Sequence, residues 1–224
     1  MKVIAIDGPS GSGKSSTSRR IASQLGFLHV DSGALYRIMT WQCLERGVDT
    51  GDPTAVAACA ADVEIECRAE DGAIAYYVNG EAPGDRIRTP DINAHASPVA
   101  TVKAVRDKVT DILRSLVQFG DLVVEGRDIT TAVFPATPAR FYLTASAEAR
   151  AMRRQKEEIE KGIASQTTEA VKASLLARDA IDSTRKYAPL RKADGVLEID
   201  STFLTLDQVV ETVLAALPQD WIKQ

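Results

Sequence analysis

One stretch, GPSGSGKS at residues 8–15, has the residue types and spacing needed to hold a polyphosphate. It fits a glycine, four residues of any type, then Gly-Lys and Ser or Thr. In this pattern Gly8, Pro9, Ser10, Gly11, Ser12 and Gly13 form a loop whose backbone N–H groups wrap the phosphate oxygens. Lys14 reaches the β- and γ-phosphates, and the Ser15 hydroxyl ligates Mg²⁺. The helix that starts there adds its positive dipole end. The pattern has meaning only between a strand and a helix. Residues 3–6 (VIAI) form a short apolar run of the kind buried in a parallel sheet, and residues 13–25 predict a helix ended by Gly26.

Further groups point to a second anion. Asp31-Ser32-Gly33 lies about 20 residues past the loop, with Ser32 expected to cap a helix over residues 34–45. Tyr36 and Arg37 stand near its first turn. Arg178, Asp182 and Arg185 are spaced i, i+4 and i+7 on one helical face. Arg150, Arg153 and Arg154 share a face of the preceding helix, with Glu157 and Glu158 one turn later. Two arginine-bearing helices downstream of a phosphate loop predict a lid over residues 150–187 that closes on polyphosphate. Gly126-Arg127-Asp128 ends a buried strand at 122–124, where ligands of open α/β sheets bind. Arg127 could there hold a phosphate, and Asp128 could accept from a base amino group. Each of these charges could instead form a local ion pair. A switch GTPase, a motor ATPase and a small-molecule kinase all remain open, although the Asn-Lys-x-Asp base-reading motif of GTPases is missing from the sequence.

The elements that must position these groups alternate between strand and helix. Strands are expected at 27–30, 140–144 and 196–199, and helices along 102–116, 147–163 and 168–187. A final helix follows a capping box of Thr205 and Gln208 and is ended by Pro218. Such alternation predicts an α/β fold, a parallel sheet flanked by helices. One segment departs from it. Val63, Ile65 and Cys67 alternate with charged residues, and Asp71-Gly72 and Asn79-Gly80 are hairpin signals. This predicts an antiparallel insert over roughly residues 63–97 in a single 224-residue domain.

Composition narrows the classes. A formal net charge of -4 and 5% aromatic residues argue against a nucleic-acid partner. Three cysteines without a C-x-x-C pair fit a reducing compartment, and no segment reads as a signal peptide or a membrane span. A cytoplasmic monomer is expected.

Taken together, "IDGPSGSGKSS", "DSGALYR", "RIRTPDINAHASPVA", "VVEGRDITTAVFP" and "RDAIDSTRKYAPL" resemble the bacterial cytidylate kinases, of the nucleoside monophosphate kinase family. The resemblance spans nearly the whole chain. It implies a P-loop NTPase-type fold with a monophosphate-binding insert, and phosphoryl transfer from ATP to CMP or dCMP in pyrimidine metabolism. It implies that Gly11 to Ser16 bind the ATP phosphates and that Arg153 belongs to the lid. Ser32, Tyr36 and Arg37 would line the monophosphate side, and Ser97, Arg106 and Asp128 would read the cytosine ring. Arg127 and Arg185 would contact the acceptor phosphate, with Arg178 and Asp182 near the sugar and phosphates. Lys14, Arg127, Arg178 and Arg185 would be the catalytic set, with Mg²⁺ at Ser15. At one position the chain departs from the family pattern: Thr130 stands where a glycine is usual. A phosphate acceptor with a second pKa of about 6 needs no general base, so His29 and His95 are expected to be structural.

Overall fold

Short apolar runs without a polar face must be buried on both sides, and they form the middle of the sheet. The computed structural model describes residues 1–160 and 167–222. Its strands are β1 (Val3–Asp7), β2 (Leu28–Asp31), β3 (Ile65–Glu70), β4 (Ala73–Val78), β5 (Leu122–Gly126), β6 (Ala139–Thr144) and β7 (Leu197–Asp200). The helices are α1 (Lys14–Leu25), α2 (Ser32–Glu45), α3 (Pro53–Ala61), α4 (Pro90–Val99), α5 (Lys103–Ser115), α6 (Ala147–Glu160), α7 (Thr168–Thr184) and α8 (Leu206–Ala215).

The strands form one sheet in the order β3-β4-β2-β5-β1-β6-β7. The pairings β2–β5, β5–β1, β1–β6 and β6–β7 are all parallel. Side chains of β1 alternate between two cores. Val3 and Ala5 pack under α2, α3 and α5, while Ile4 and Ile6 pack under α1 and α8. The predicted antiparallel pair is present as β3 and β4. Their turn has positive φ at Asp71 (47°) and Gly72 (75°), as a tight two-residue hairpin requires. The pair does not form a sheet of its own. It extends the main sheet through a parallel pairing of His29 with Ala73.

Two helices had no counterpart in the sequence reading. Asp52 caps α3 through its side chain, with Pro53 at the first position. Thr89 caps α4 in the same way, and Pro98 falls in its last turn, which hides the helix from a pattern search. The predicted helix over 168–187 ends earlier, at Thr184. Residues 161–163 of the other predicted charged helix, and 161–166 of the expected lid, lie outside the described residues.

The departure at Thr130 has a structural account. Asp7, at the end of β1, is fully buried. It accepts from the backbone N–H of Ile129 (2.8 Å), the N–H of Thr130 (2.7 Å) and the Thr130 hydroxyl (2.6 Å). Thr130 lies in a π-helical turn, Ile129–Val133, without positive φ, and it faces this carboxylate. Burial still raises the Asp7 pKa to about 6, against the pull of the Thr130 bonds. A carboxyl raised in the folded state loses stabilising weight as pH rises through that value. The hydroxyl therefore matters most above pH 6, where Asp7 is charged. Thr130→Ala should cost about 2 kcal/mol at pH 7.5 and clearly less at pH 5, with Thr130→Ser close to wild type; urea unfolding at both pH values measures this.

Candidate active site

The phosphate loop leaves β1 pressed against its neighbour. Gly8 has φ +149°, and a Cβ there would lie 1.9 Å from the Leu143 carbonyl oxygen on β6. Helix α1 opens at Gly13, and among the described residues no side chain caps its first turn and no acid stands in it. Its free N–H groups belong to residues that line a cavity of ≈ 430 Å³, together with Ser10, Gly11, Gly13, Lys14, Ser15 and Ser16. Gly8, Pro9 and Ser12 stand behind this lining. Lys14 Nζ donates to Pro9 O at 2.7 Å, and Ser12 Oγ donates to the same oxygen at 3.0 Å. Lys14 is only 5% exposed. Burial and the charges of Arg127 and Arg178 push its pKa down to about 7, although Glu125 and Asp7 act in the opposite sense.

The next wall comes from β2 and α2. Ser32 does not cap α2, as its position had suggested. The Asp31 side chain does so, accepting from Ala34 N at 3.2 Å. Ser32 is the first helical residue, and its hydroxyl donates to Glu125 O at 2.6 Å. Asp31 also meets Arg37 (3.5 Å) and Arg88 (3.3 Å). Burial alone would raise this carboxyl; the two guanidinium groups outweigh it and hold the pKa below the usual range.

At the end of β5, Arg127 Nε donates to Asp182 Oδ2 at 3.0 Å. Ser97 Oγ donates to Asp182 Oδ1 at 3.3 Å, and Arg185 lies 3.8 Å from that oxygen. Asp128 pairs with Arg106 and, at 3.5 Å, with Arg185. The Arg106 guanidinium lies 5.4 Å from the centre of the Tyr36 ring. Arg185 follows the end of α7 with extended ψ of 145°, so it leaves the helical face of Arg178 and Asp182 yet lines the same cavity. Arg178 has its Nε buried without a hydrogen-bond partner among the described residues. Burial and the charges of Arg127 and Arg37 push its pKa down to about 10.

The three arginines of α6, one face in the sequence, diverge in space. Arg150 donates to Ser10 O (3.1 Å) and to Asp179 (2.5 Å). Arg153 turns to Ser201, donating to its Oγ (3.0 Å) and its carbonyl (2.5 Å), and does not line the cavity. Arg154 lines it while meeting Glu158 at 3.0 Å. Arg106 stands just behind the lining, which includes Ser32, Tyr36, Arg37, Ser97, Arg127 and Asp128. Among the described residues the cavity wall holds eight Lys or Arg side chains against six Asp or Glu, a cationic balance suited to anions.

The sequence matches the cytidylate kinase profile over residues 4–219. The chain belongs to the cytidylate kinase family. Similar proteins include a cytidylate kinase of Streptomyces avermitilis, 42% identical over 97% of this chain and 93% of that protein. One from Streptomyces griseus is 44% identical over 95% and 90% of the two chains, and one from Anoxybacillus flavithermus is 39% identical over 96% of each. Membership makes the chain a nucleoside monophosphate kinase. Arg19, Arg88 and Asp85 also line the cavity of this kinase and were not singled out from the sequence. Arg88 falls in a short 3₁₀ segment, Gly84–Arg88, between two prolines, where no periodicity marks a functional side chain.

The depressed Lys14 pKa makes a thermodynamic prediction. At pH 8 a lysine with a pKa of about 7 is mostly neutral, and a bound polyphosphate recharges it. Binding of inorganic tripolyphosphate at pH 8 should therefore take up about one proton, and far less at pH 6. Calorimetry in buffers of different ionisation enthalpy reads this uptake, which Lys14→Arg should abolish because arginine stays charged.

Proposed function

We propose that the chain transfers the γ-phosphoryl group of ATP to CMP or dCMP, giving ADP and CDP or dCDP. The observation that carries this reading is the pair of cations without acidic partners. Lys14 and Arg178 are buried beside other cations, have depressed pKa values, and have no ion pair with a carboxylate among the described residues. Such groups await an anion, and two phosphate chains supply it.

In this reading Gly8 to Ser16 hold the donor phosphates, and Lys14 holds the β- and γ-phosphates. Ser32, Tyr36 and Arg37 border the acceptor phosphate, with Arg127 and Arg185 on it. Arg178, near Asp182, faces the phosphoryl group in flight. That group spreads charge over three oxygens, which fixed guanidinium forks stabilise. The acceptor is already ionised at neutral pH, so no side chain need remove a proton. His29 is buried beside Glu125, and His95 bonds Thr50, consistent with structural roles.

Mg²⁺ fits this site. Ser15 lines the cavity, and so does Glu125, whose buried Oε1 lies 3.4 Å from His29 Nε2 and has no hydrogen-bond partner among the described residues. Among the described residues no three His, Cys, Asp or Glu are grouped to hold a metal. Ser15 and Glu125 would hold the ion with substrate phosphates supplying the other ligands, as is usual for Mg²⁺. When bound, it neutralises phosphate charge. No described helix is long and apolar enough to cross a membrane, and the kinase is proposed to work as a cytoplasmic monomer.

Base choice is proposed to rest on Asp128 and Ser97, which line the cavity, with Arg106 behind the lining and paired with Asp128. Cytosine presents an N4 amino donor, which Asp128 can accept. Uracil presents a carbonyl there, which faces the carboxylate unpaired. A coupled assay of ATP with the common ribo- and deoxyribomonophosphates should show kcat/KM for CMP at least about 100-fold above UMP, and Asp128→Asn should narrow that ratio. Equal values for CMP and UMP would refute the base-reading role. Lys14→Ala should lower kcat by roughly 100-fold or more. Its melting temperature should hold or rise, because a disfavoured buried cation is gone; near-normal turnover would sink the phosphoryl-transfer reading.

A further inference from the structure

The antiparallel insert joins the main sheet through one residue pair. His29 of β2 stands opposite Ala73 of β4, and its N–H donates to Gly72 O at 2.9 Å. On the other side β2 runs in register with β5, His29 opposite Val123 and Asp31 opposite Glu125. The backbone of His29 is therefore held from both flanking strands. Side chains alternate across a strand. Val30 packs into the core under α2, so His29 takes the other face, beside Val123 of the apolar core under α1.

A buried imidazole calls for a polar partner. One is at hand. His29 Nε2 lies 3.4 Å from Glu125 Oε1, and both side chains are more than nine-tenths buried. Neither atom has a hydrogen-bond partner among the described residues. The gap is slightly longer than a good N–H···O bond, and a small turn of the carboxylate closes it. His29 itself does not line the cavity, but Glu125 does. On that side the same carboxylate supports the charge of Lys14. Glu125 thus stands between an imidazole behind it and the phosphate site in front.

We infer that His29 is a positioning residue: its Nε2–H holds Oε1 of Glu125 from behind, which leaves the other carboxylate oxygen to face a magnesium-bearing polyphosphate. This rests on the phosphoryl-transfer reading above, with Glu125 as a holder of Mg²⁺. A group that orients a metal-binding side chain is worth roughly 10- to 100-fold in metal affinity. The effect of His29 is then confined to polyphosphate that carries the metal.

The test separates metal from phosphate. Binding of inorganic tripolyphosphate, with Mg²⁺ and with a chelator in its place, is measured by calorimetry at neutral pH. The wild type is compared with His29→Phe, His29→Leu and His29→Gln. Both apolar variants should bind the Mg²⁺ complex roughly 10-fold more weakly or worse and bind metal-free tripolyphosphate as the wild type does. His29→Gln keeps a side-chain N–H and should stay close to the wild type in both. His29→Leu carries the comparison should the larger Phe ring not pack. Unchanged affinity for the Mg²⁺ complex in the apolar variants would overturn the inference. So would an equal loss with and without Mg²⁺, or a His29→Gln variant as weak as the apolar ones. A wild type that binds no tripolyphosphate at all would overturn the phosphoryl-transfer reading itself, and this inference with it.

Discussion

The site depends on positive charges held together without enough acid to neutralise them. Three buried or half-buried carboxylates each serve two arginines. Asp31 holds Arg37 and Arg88, Asp128 holds Arg106 and Arg185, and Asp182 holds Arg127 and Arg185. This sharing keeps the guanidinium groups in place and still leaves a cationic excess. Lys14 and Arg178 carry it, and the depressed pKa of each records the repulsion and desolvation. A site arranged this way is complementary to spread negative charge before any ligand arrives, and no reorganisation is required at the moment of reaction.

Keeping such a cluster requires a rigid frame, and the parallel sheet supplies it. Strand-to-helix crossovers bring the ends of β1, β2 and β5 to one edge of the sheet, where the phosphate loop, Asp31 and Arg127 emerge side by side. Beneath them the Asp7 carboxylate ties the end of β1 to the turn after β5 through three hydrogen bonds. The position occupied by Thr130 therefore looks inward, to the strand that carries the phosphate loop, and adds a third donor to a charge that burial disfavours. The residue replaces a usual glycine without strain because its backbone is right-handed there.

Much of this was legible because it is local. The phosphate loop, the apolar strands and the Asp71-Gly72 turn are fixed by short-range sterics, which residue types report directly. The destinations of long side chains were not legible. Arg150, Arg153 and Arg154 share a helical face, but their partners (Asp179, Ser201 and Glu158) belong in two cases to distant segments, and only the fold decides which arginine faces the cavity. The cap of α2 shows the same limit: Ser32 and Asp31 are both good caps, and the Ser32 hydroxyl is claimed by the Glu125 carbonyl on β5. Arg88 was missed because a short segment between prolines has no period to read. Thr130 could be noticed as a departure, but its partner lies 123 residues away.

One side chain joins the two halves of the charge cluster. Arg150 donates to the Ser10 carbonyl in the phosphate loop and to Asp179 on α7. Asp179 directly follows Arg178, so the same guanidinium that touches the loop also fixes the turn of helix from which Arg178 enters the cavity. The Cβ of Arg150 would stand 3.1 Å from any Cβ added at Gly11, so this contact tolerates little displacement of either partner. Lys14 and Arg178 stand 164 residues apart in sequence, yet one buried arginine links the loop before the first directly to the helix that carries the second. That short connection helps hold two mutually repelling cations in the wall of one cavity, where the proposed phosphoryl transfer would use both.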